Sequence, residues 1–107
     1  MSFDIDQTLN GMAAAIAGVV ASEWPKIKDC MEKALQDEKG ALEEIAMARL
    51  SGEIDDEGMK SQLDDEEETL RAELLVCKVE AKVAAQNAAN AAINVLTDAI
   101  KAGLKVI

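Results

Sequence analysis

The sequence predicts an all-α protein built as one long antiparallel helical hairpin. Three observations predict this fold. Alanine is the commonest of the 107 residues, whereas there is one Trp, one Phe, one Pro and no Tyr, a composition that favours helix over strand. Signals for a helix end and a helix start stand together at the centre of the chain. On both sides of that centre, apolar residues recur at intervals of three and four, the period of a helix face.

The stretch from Leu50 to Asp56 predicts the turn. Gly52 can adopt the left-handed conformation that closes a helix, and Asp55 can cap the next one. Ile54 precedes this cap and Met59 follows it at the spacing of a hydrophobic staple. We therefore expect the turn at about residues 52–55.

The first arm is expected to run over about residues 4–51. It opens with apolar residues at heptad spacing: Ile5, Leu9, Met12, Ile16 and Val19 or Val20. Pro25 disfavours helical geometry at Trp24, so the helix either kinks there or a new helix starts at Ser22 with Pro25 in its first turn. The apolar pattern continues in phase, which favours the kink. Glu38 falls on or near the apolar line. It either pairs across the helix interface or lies at the edge of the line, and we favour the edge.

The second arm is expected to be one helix from about residue 56, ending near Gly103. Its apolar lines contain three polar side chains. Glu66 fills the step between two leucines, and Gln86 and Asn90 interrupt a line of aliphatic residues. Buried amides at such positions would fix the register of packed helices. Alternatively, these amides face solvent.

The turn sets which residues lie at the same level of the hairpin. Residues 7–22 then face residues 85–100, so the two uncharged, alanine-rich stretches pair. Such a hairpin would be roughly 70 Å long, with an uncharged end that carries both termini and an acidic end at the turn. Its single domain, residues 1–107, has no interior of its own. We therefore expect self-association, or a third helix that folds back, to complete the core, and we favour self-association into a helical bundle such as a four-helix bundle or coiled coil.

The same geometry places Cys30 level with Cys77. Helix axes usually lie about 8–10 Å apart, whereas a disulfide needs Cα atoms closer than about 7 Å. We therefore expect two buried, reduced thiols in a cytoplasmic protein. The cytoplasmic location is expected because no signal peptide or transmembrane segment is recognisable, although export without a signal stays possible.

Charge narrows the classes of partner. The net charge is −10, and residues 52–69 hold nine acidic side chains against Lys60 alone. No basic patch exists to contact nucleic acid or anionic lipid. The sequence has no His, which removes Ser-His and Cys-His catalysis and His-ligated metals. We expect no enzyme activity, no cofactor and no metal.

Three functions remain open. The first is a structural protomer that forms homo-oligomers through the uncharged end, using Leu9, Met12, Ile16, Val19, Trp24, Val83, Gln86, Asn90, Ile93 and Ile100. The alternative is a small acidic adaptor, chaperone or inhibitor that binds a basic protein through residues 53–68, with Asp56, Glu57, Asp64, Asp65, Glu67 and Glu68 on its surface. A membrane-active hairpin is the least favoured, because both uncharged stretches are too short to span a bilayer.

Overall fold

Four α-helices make up most of residues 3–105, the part of the chain described by the computed structural model. They are α1 (Ile5–Val19), α2 (Trp24–Leu50), α3 (Asp56–Val76) and α4 (Lys82–Lys105). Each helix packs against the next along the chain, and α1 packs most extensively against α4. The predicted all-α class is confirmed, and the arrangement is a bundle of four helices within one chain.

The first arm is broken rather than kinked. The α1 helix ends at Val19, and the amides of Glu23 and Trp24 both donate to the carbonyl of Val20. The α2 helix begins at Trp24, with Pro25 in its first turn, where the missing amide proton has no helical partner to lose. The favoured kink was wrong because an in-phase apolar pattern fits two antiparallel helices as well as one bent helix.

The second arm is also broken, which contradicts the predicted continuous helix. Lys78 follows α3 with a φ of 79°. The amide of Lys78 donates to the carbonyl of Leu75, and that of Val79 donates to the carbonyl of Leu74. This pattern is a Schellman motif with a lysine in the position that usually holds glycine. The chain then turns, and α4 starts at Lys82.

The two breaks fold the hairpin back on itself. The Cα atoms extend over 40 × 24 × 19 Å, so the predicted length of about 70 Å was wrong. The core draws on all four helices, and its largest fully buried side chains include Met12, Met31, Leu70 and Leu96. The chain therefore completes a core by folding back on itself, the second of the two alternatives that the sequence left open.

The central turn is formed as predicted. Gly52 has a φ of 84°, and the side chain of Asp55 accepts a 2.8 Å hydrogen bond from the amide of Gly58. The pairing of the uncharged stretches is confirmed as well. A Cβ atom on Gly11 of α1 would lie 3.1 Å from Cγ1 of Val95 on α4, at the predicted level.

The predicted separation of the turn from the termini was wrong. A Cβ atom on Gly103 would lie 3.2 Å from Cδ2 of Leu50 and 3.7 Å from Cβ of Phe3. The central turn therefore lies at the same end of the bundle as the first and last described residues. The opposite end holds the turn before α2 and the turn before α4, where the amide of Glu80 donates to Glu23 Oε1 at 3.2 Å.

Cys30 and Cys77 form a disulfide, so the expected reduced thiols were wrong. Their Cα atoms lie 5.8 Å apart. The helix-axis argument failed because Cys77 is the residue that ends α3, and does not lie on the face of a continuing helix. Cys30 is exposed and Cys77 is buried.

The described part of the chain contains no helix that could span a membrane. Between Phe3 and Lys105, every helix is too short or too polar to cross a bilayer.

Candidate functional site

The predicted oligomer interface is divided by the fold. Five of its residues are buried in the core of their own chain: Leu9, Met12, Ile16, Ile93 and Ile100. Trp24 is half-buried against that core. Val19 and Val83 are exposed, the latter by 73%. Of the predicted interface, Val19, Val83 and Asn90 are exposed to a partner.

The two amides link α4 to α3. Gln86 Nε2 donates to Glu67 Oε2 at 2.8 Å, and Asn90 Nδ2 lies 3.4 Å from Glu67 Oε1. Gln86 is half-buried, which is closer to the prediction of a buried amide, and Asn90 is exposed, which fits the alternative that the amide faces solvent. Because both amides bind one carboxylate, they fix the register of α4 on α3 within the chain.

The predicted acidic surface lies along α3. Asp56 accepts from Arg49 Nε at 2.8 Å, Asp64 from Lys60 at 2.9 Å and Glu68 from Arg71 at 3.1 Å. Exposed ion pairs of this kind contribute little to stability. Among residues 3–105, Glu57 and Asp65 make no ion pair, and both are exposed. The surface therefore keeps a strong negative excess.

A groove runs between α2 and α3, beside that surface, with a volume of about 670 Å³. We call the apolar part of its lining the floor and the polar part the walls. Met47 belongs to the floor and is 44% exposed. The walls carry four carboxylates and no basic side chain. The lining residues are Ala41, Glu44, Ile45, Met47, Ala48, Ser51, Glu53, Gln62, Asp65 and Glu66. We call this feature the α2–α3 groove.

Glu66 is the unusual residue of the groove. Burial, a hydrogen bond with Glu38 and the negative charges of Glu38 and Asp65 raise its pKa from 4.5 to about 7. Its Oε2 atom is buried, and no donor in the described residues reaches it. The two carboxyl groups come from different helices, and Glu66 keeps its proton to a higher pH than an ordinary glutamate does.

Sequence reasoning missed this pair, although a signal was present. Glu38 and Glu66 each fall on an apolar line, and the central turn places them at nearly the same level. Glu38 is half-buried, which agrees with a position at the edge of the apolar line, and its charge contributes to the raised pKa of Glu66. The apolar floor could not be predicted, because it depends on which faces α1 and α4 leave open.

Comparisons of this chain with models of protein families, with curated proteins and with solved structures found no match. Function is therefore inferred from the residues and their geometry.

Proposed function

We propose that this chain is a non-enzymatic interaction module that binds a basic protein partner through the α2–α3 groove and the neighbouring acidic surface of α3. The observation that carries the proposal is the groove itself, with exposed Met47 on its floor and four carboxylates on its walls. Such a surface fits a segment that has one apolar face and flanking lysines or arginines.

The charge of the whole chain supports the same proposal. A net charge of −10 attracts basic partners over distances of about 10 Å at moderate ionic strength, and the attraction weakens as salt is added. The apolar floor adds a contribution that salt does not screen. Binding should therefore weaken with salt but persist where a purely electrostatic contact would be lost.

The proposal includes no catalytic step. The sequence has no His to act as a general base, and both cysteines are held in the disulfide, so no thiol is free to act as a nucleophile.

A binding measurement tests the proposal. A fluorescent helical peptide with lysines flanking an apolar face would be titrated with the wild type, and its affinity measured by anisotropy. The matched variant is Glu44→Gln/Glu53→Gln/Asp65→Asn, which removes the charge of three of the four carboxylates in the groove lining. We expect its binding to be weaker by about tenfold or more. Equal binding by the wild type and this variant would contradict the proposal.

Self-assembly is a second candidate, favoured by the outer face of α1. Asn10, Ala14 and Gly18 are exposed on this helix, and no atom lies within 4 Å of a Cβ position on Gly18. An uncharged outer face on so acidic a protein is suited to contact with a second copy. Light scattering on a size-exclusion column tests this function, since a stable 11.4 kDa monomer at micromolar concentration would exclude it.

The compartment is a separate proposal. Cytosolic reductants keep most protein thiols reduced, so the Cys30–Cys77 disulfide favours an oxidising compartment. The expected cytoplasmic location stays a prediction, and the disulfide counts against it. Alkylation of thiols before lysis, followed by mass spectrometry, would show which redox state the two cysteines have in cells.

A further inference from the structure

Glu66 lines the α2–α3 groove, and Glu38 of α2 is near enough to raise its pKa. They lie on facing helices, and both side chains are half-buried. When both are ionised, they repel each other, and Glu66 Oε2 lacks a donor. The pair therefore requires either a proton or a cation.

Among residues 3–105, no cationic side chain bonds to Glu66 Oε2. Lys39, next to Glu38 in sequence, extends to α1 instead, where its Nζ lies 2.8 Å from Asp6 Oδ1. From α4, Gln86 and Asn90 bond to Glu67. The charged groups around Glu66 are all acidic: Glu38 and Glu44 on α2, Glu53 in the central turn and Asp65 on α3.

The groove is long enough to hold a partner segment whose lysine or arginine reaches Glu66. Its α2 wall, from Ala41 to Ser51, rises about 15 Å, or roughly three helical turns. A lysine or arginine can lay its methylene stem along an apolar floor while its charged head reaches a carboxylate. Ile45 and Met47 provide such a floor beside Glu66.

We propose that the α2–α3 groove takes one amphipathic helix of the basic partner, and that a lysine or arginine of this helix pairs with Glu66, whose buried Oε2 atom has no donor among the described residues. This inference rests on the proposed function and adds the anchoring residue and its chemistry. The carboxyl proton leaves to solvent, and the ammonium or guanidinium group takes its place as hydrogen-bond donor. Binding and proton release are therefore linked.

The linkage has a definite sign. Below the pKa of Glu66, which is about 7, the pair must give up its proton before it can take the cation. Affinity should therefore rise by about tenfold between about pH 6 and about pH 8. Lysine and arginine on the peptide stay charged over this range, so the change reports on the protein.

The test uses two peptides of the kind described above, one with a central lysine and the other with norleucine in its place. Affinities are measured for the wild type, for Glu66→Gln and for Glu32→Gln, an exposed residue of α2 outside the groove. Glu66→Gln removes the exchangeable proton but keeps the size of the side chain. A second groove variant, Glu38→Gln, is measured in the same way, and circular dichroism confirms that each variant is folded.

We expect the wild type to prefer the lysine peptide and to bind it about tenfold more tightly at about pH 8 than at about pH 6. Both the preference and the pH dependence should be lost in Glu66→Gln and kept in Glu32→Gln. If the wild type binds but Glu66→Gln behaves like Glu32→Gln, this inference is overturned and the proposed function stands. If the wild type binds neither peptide at low salt, the proposed function itself fails.

Discussion

Glu66 of α3 lies close enough to Glu38 of α2 for Glu38 to raise its pKa, and both side chains are half-buried. Burial and the facing carboxylate raise the pKa of Glu66 to about 7. The two carboxylates repel each other when both are ionised, and a proton on Glu66 removes one of the two negative charges, so we expect the interface between α2 and α3 to be sensitive to pH.

Replacing Glu66 by glutamine should stabilise the protein in mildly alkaline solution. Folding raises the Glu66 pKa from 4.5 to about 7, so the folded state favours the protonated form. The stability from that form is complete below about pH 4.5 and is lost as pH rises through 7. Allowing for partial exposure, we expect Glu66→Gln to raise the free energy of unfolding by on the order of 1 kcal/mol at about pH 8.

Urea unfolding at about pH 8 and at about pH 4 checks this expectation. The gain should disappear at the lower pH, where wild-type Glu66 is protonated. Glu32→Gln, on the exposed side of α2, is the control and should show no comparable pH-dependent gain. A gain of equal size at both pH values would argue against the raised pKa of Glu66.

Removing the disulfide should destabilise the bundle strongly. Cys30 and Cys77 are 47 residues apart, and closing a loop of that length restricts the unfolded chain by about 4 kcal/mol on the chain-entropy account. We expect Cys30→Ser/Cys77→Ser to lower the free energy of unfolding by roughly that amount. The wild type measured with a reducing agent is the control, and it should unfold at a similar urea concentration to the double variant.

The two mid-helix glycines Gly11 and Gly40 should respond oppositely to leucine. A Cβ atom on Gly11 would lie 3.1 Å from Val95, whereas no atom lies within 4 Å of that position on Gly40. We expect Gly11→Leu to cost about 1–3 kcal/mol through overpacking between α1 and α4. Gly40→Leu should gain up to about 1 kcal/mol in helix propensity. Equal effects in urea unfolding would show that α1 does not approach α4 as described.

Lys78 and Gly52 provide a matched test of the helix ends. Both have a positive φ, 79° for Lys78 and 84° for Gly52, yet only one is glycine. Lys78→Gly should relieve strain and raise the free energy of unfolding by about 1 kcal/mol, and Gly52→Ala should lower it by a similar amount. Thermal unfolding of the two variants measures both signs, and a destabilised Lys78→Gly would contradict the turn after α3.

The central turn could be predicted from the sequence because its signals are local. Gly52 provides the left-handed conformation, and Asp55 provides the cap. The pairing of α1 with α4 could also be predicted, since it follows from the level of residues on either side of that turn. Gly11 and Val95 meet where this rule places them.

The turns before α2 and α4 are harder to predict from the sequence, because their local signals are weak or ambiguous. Pro25 is equally compatible with a kink and with the first turn of a new helix. Lys78 adopts a conformation that lysine rarely takes, and only the tertiary packing of Leu74 and Val79 reveals the break. The candidate site was also predicted only in part. The acidic residues of α3 could be identified from the sequence, whereas the groove floor depends on the turns before α2 and α4.

The most direct test of the proposed role of Glu66 is the pKa of its carboxyl group, measured by carbon NMR of labelled protein with and without the lysine peptide. We predict a titration midpoint of about 7 in the free protein and a clear downward shift when the peptide is bound. A midpoint near the ordinary glutamate value of 4.5 in the free protein, unchanged by the peptide, would contradict it.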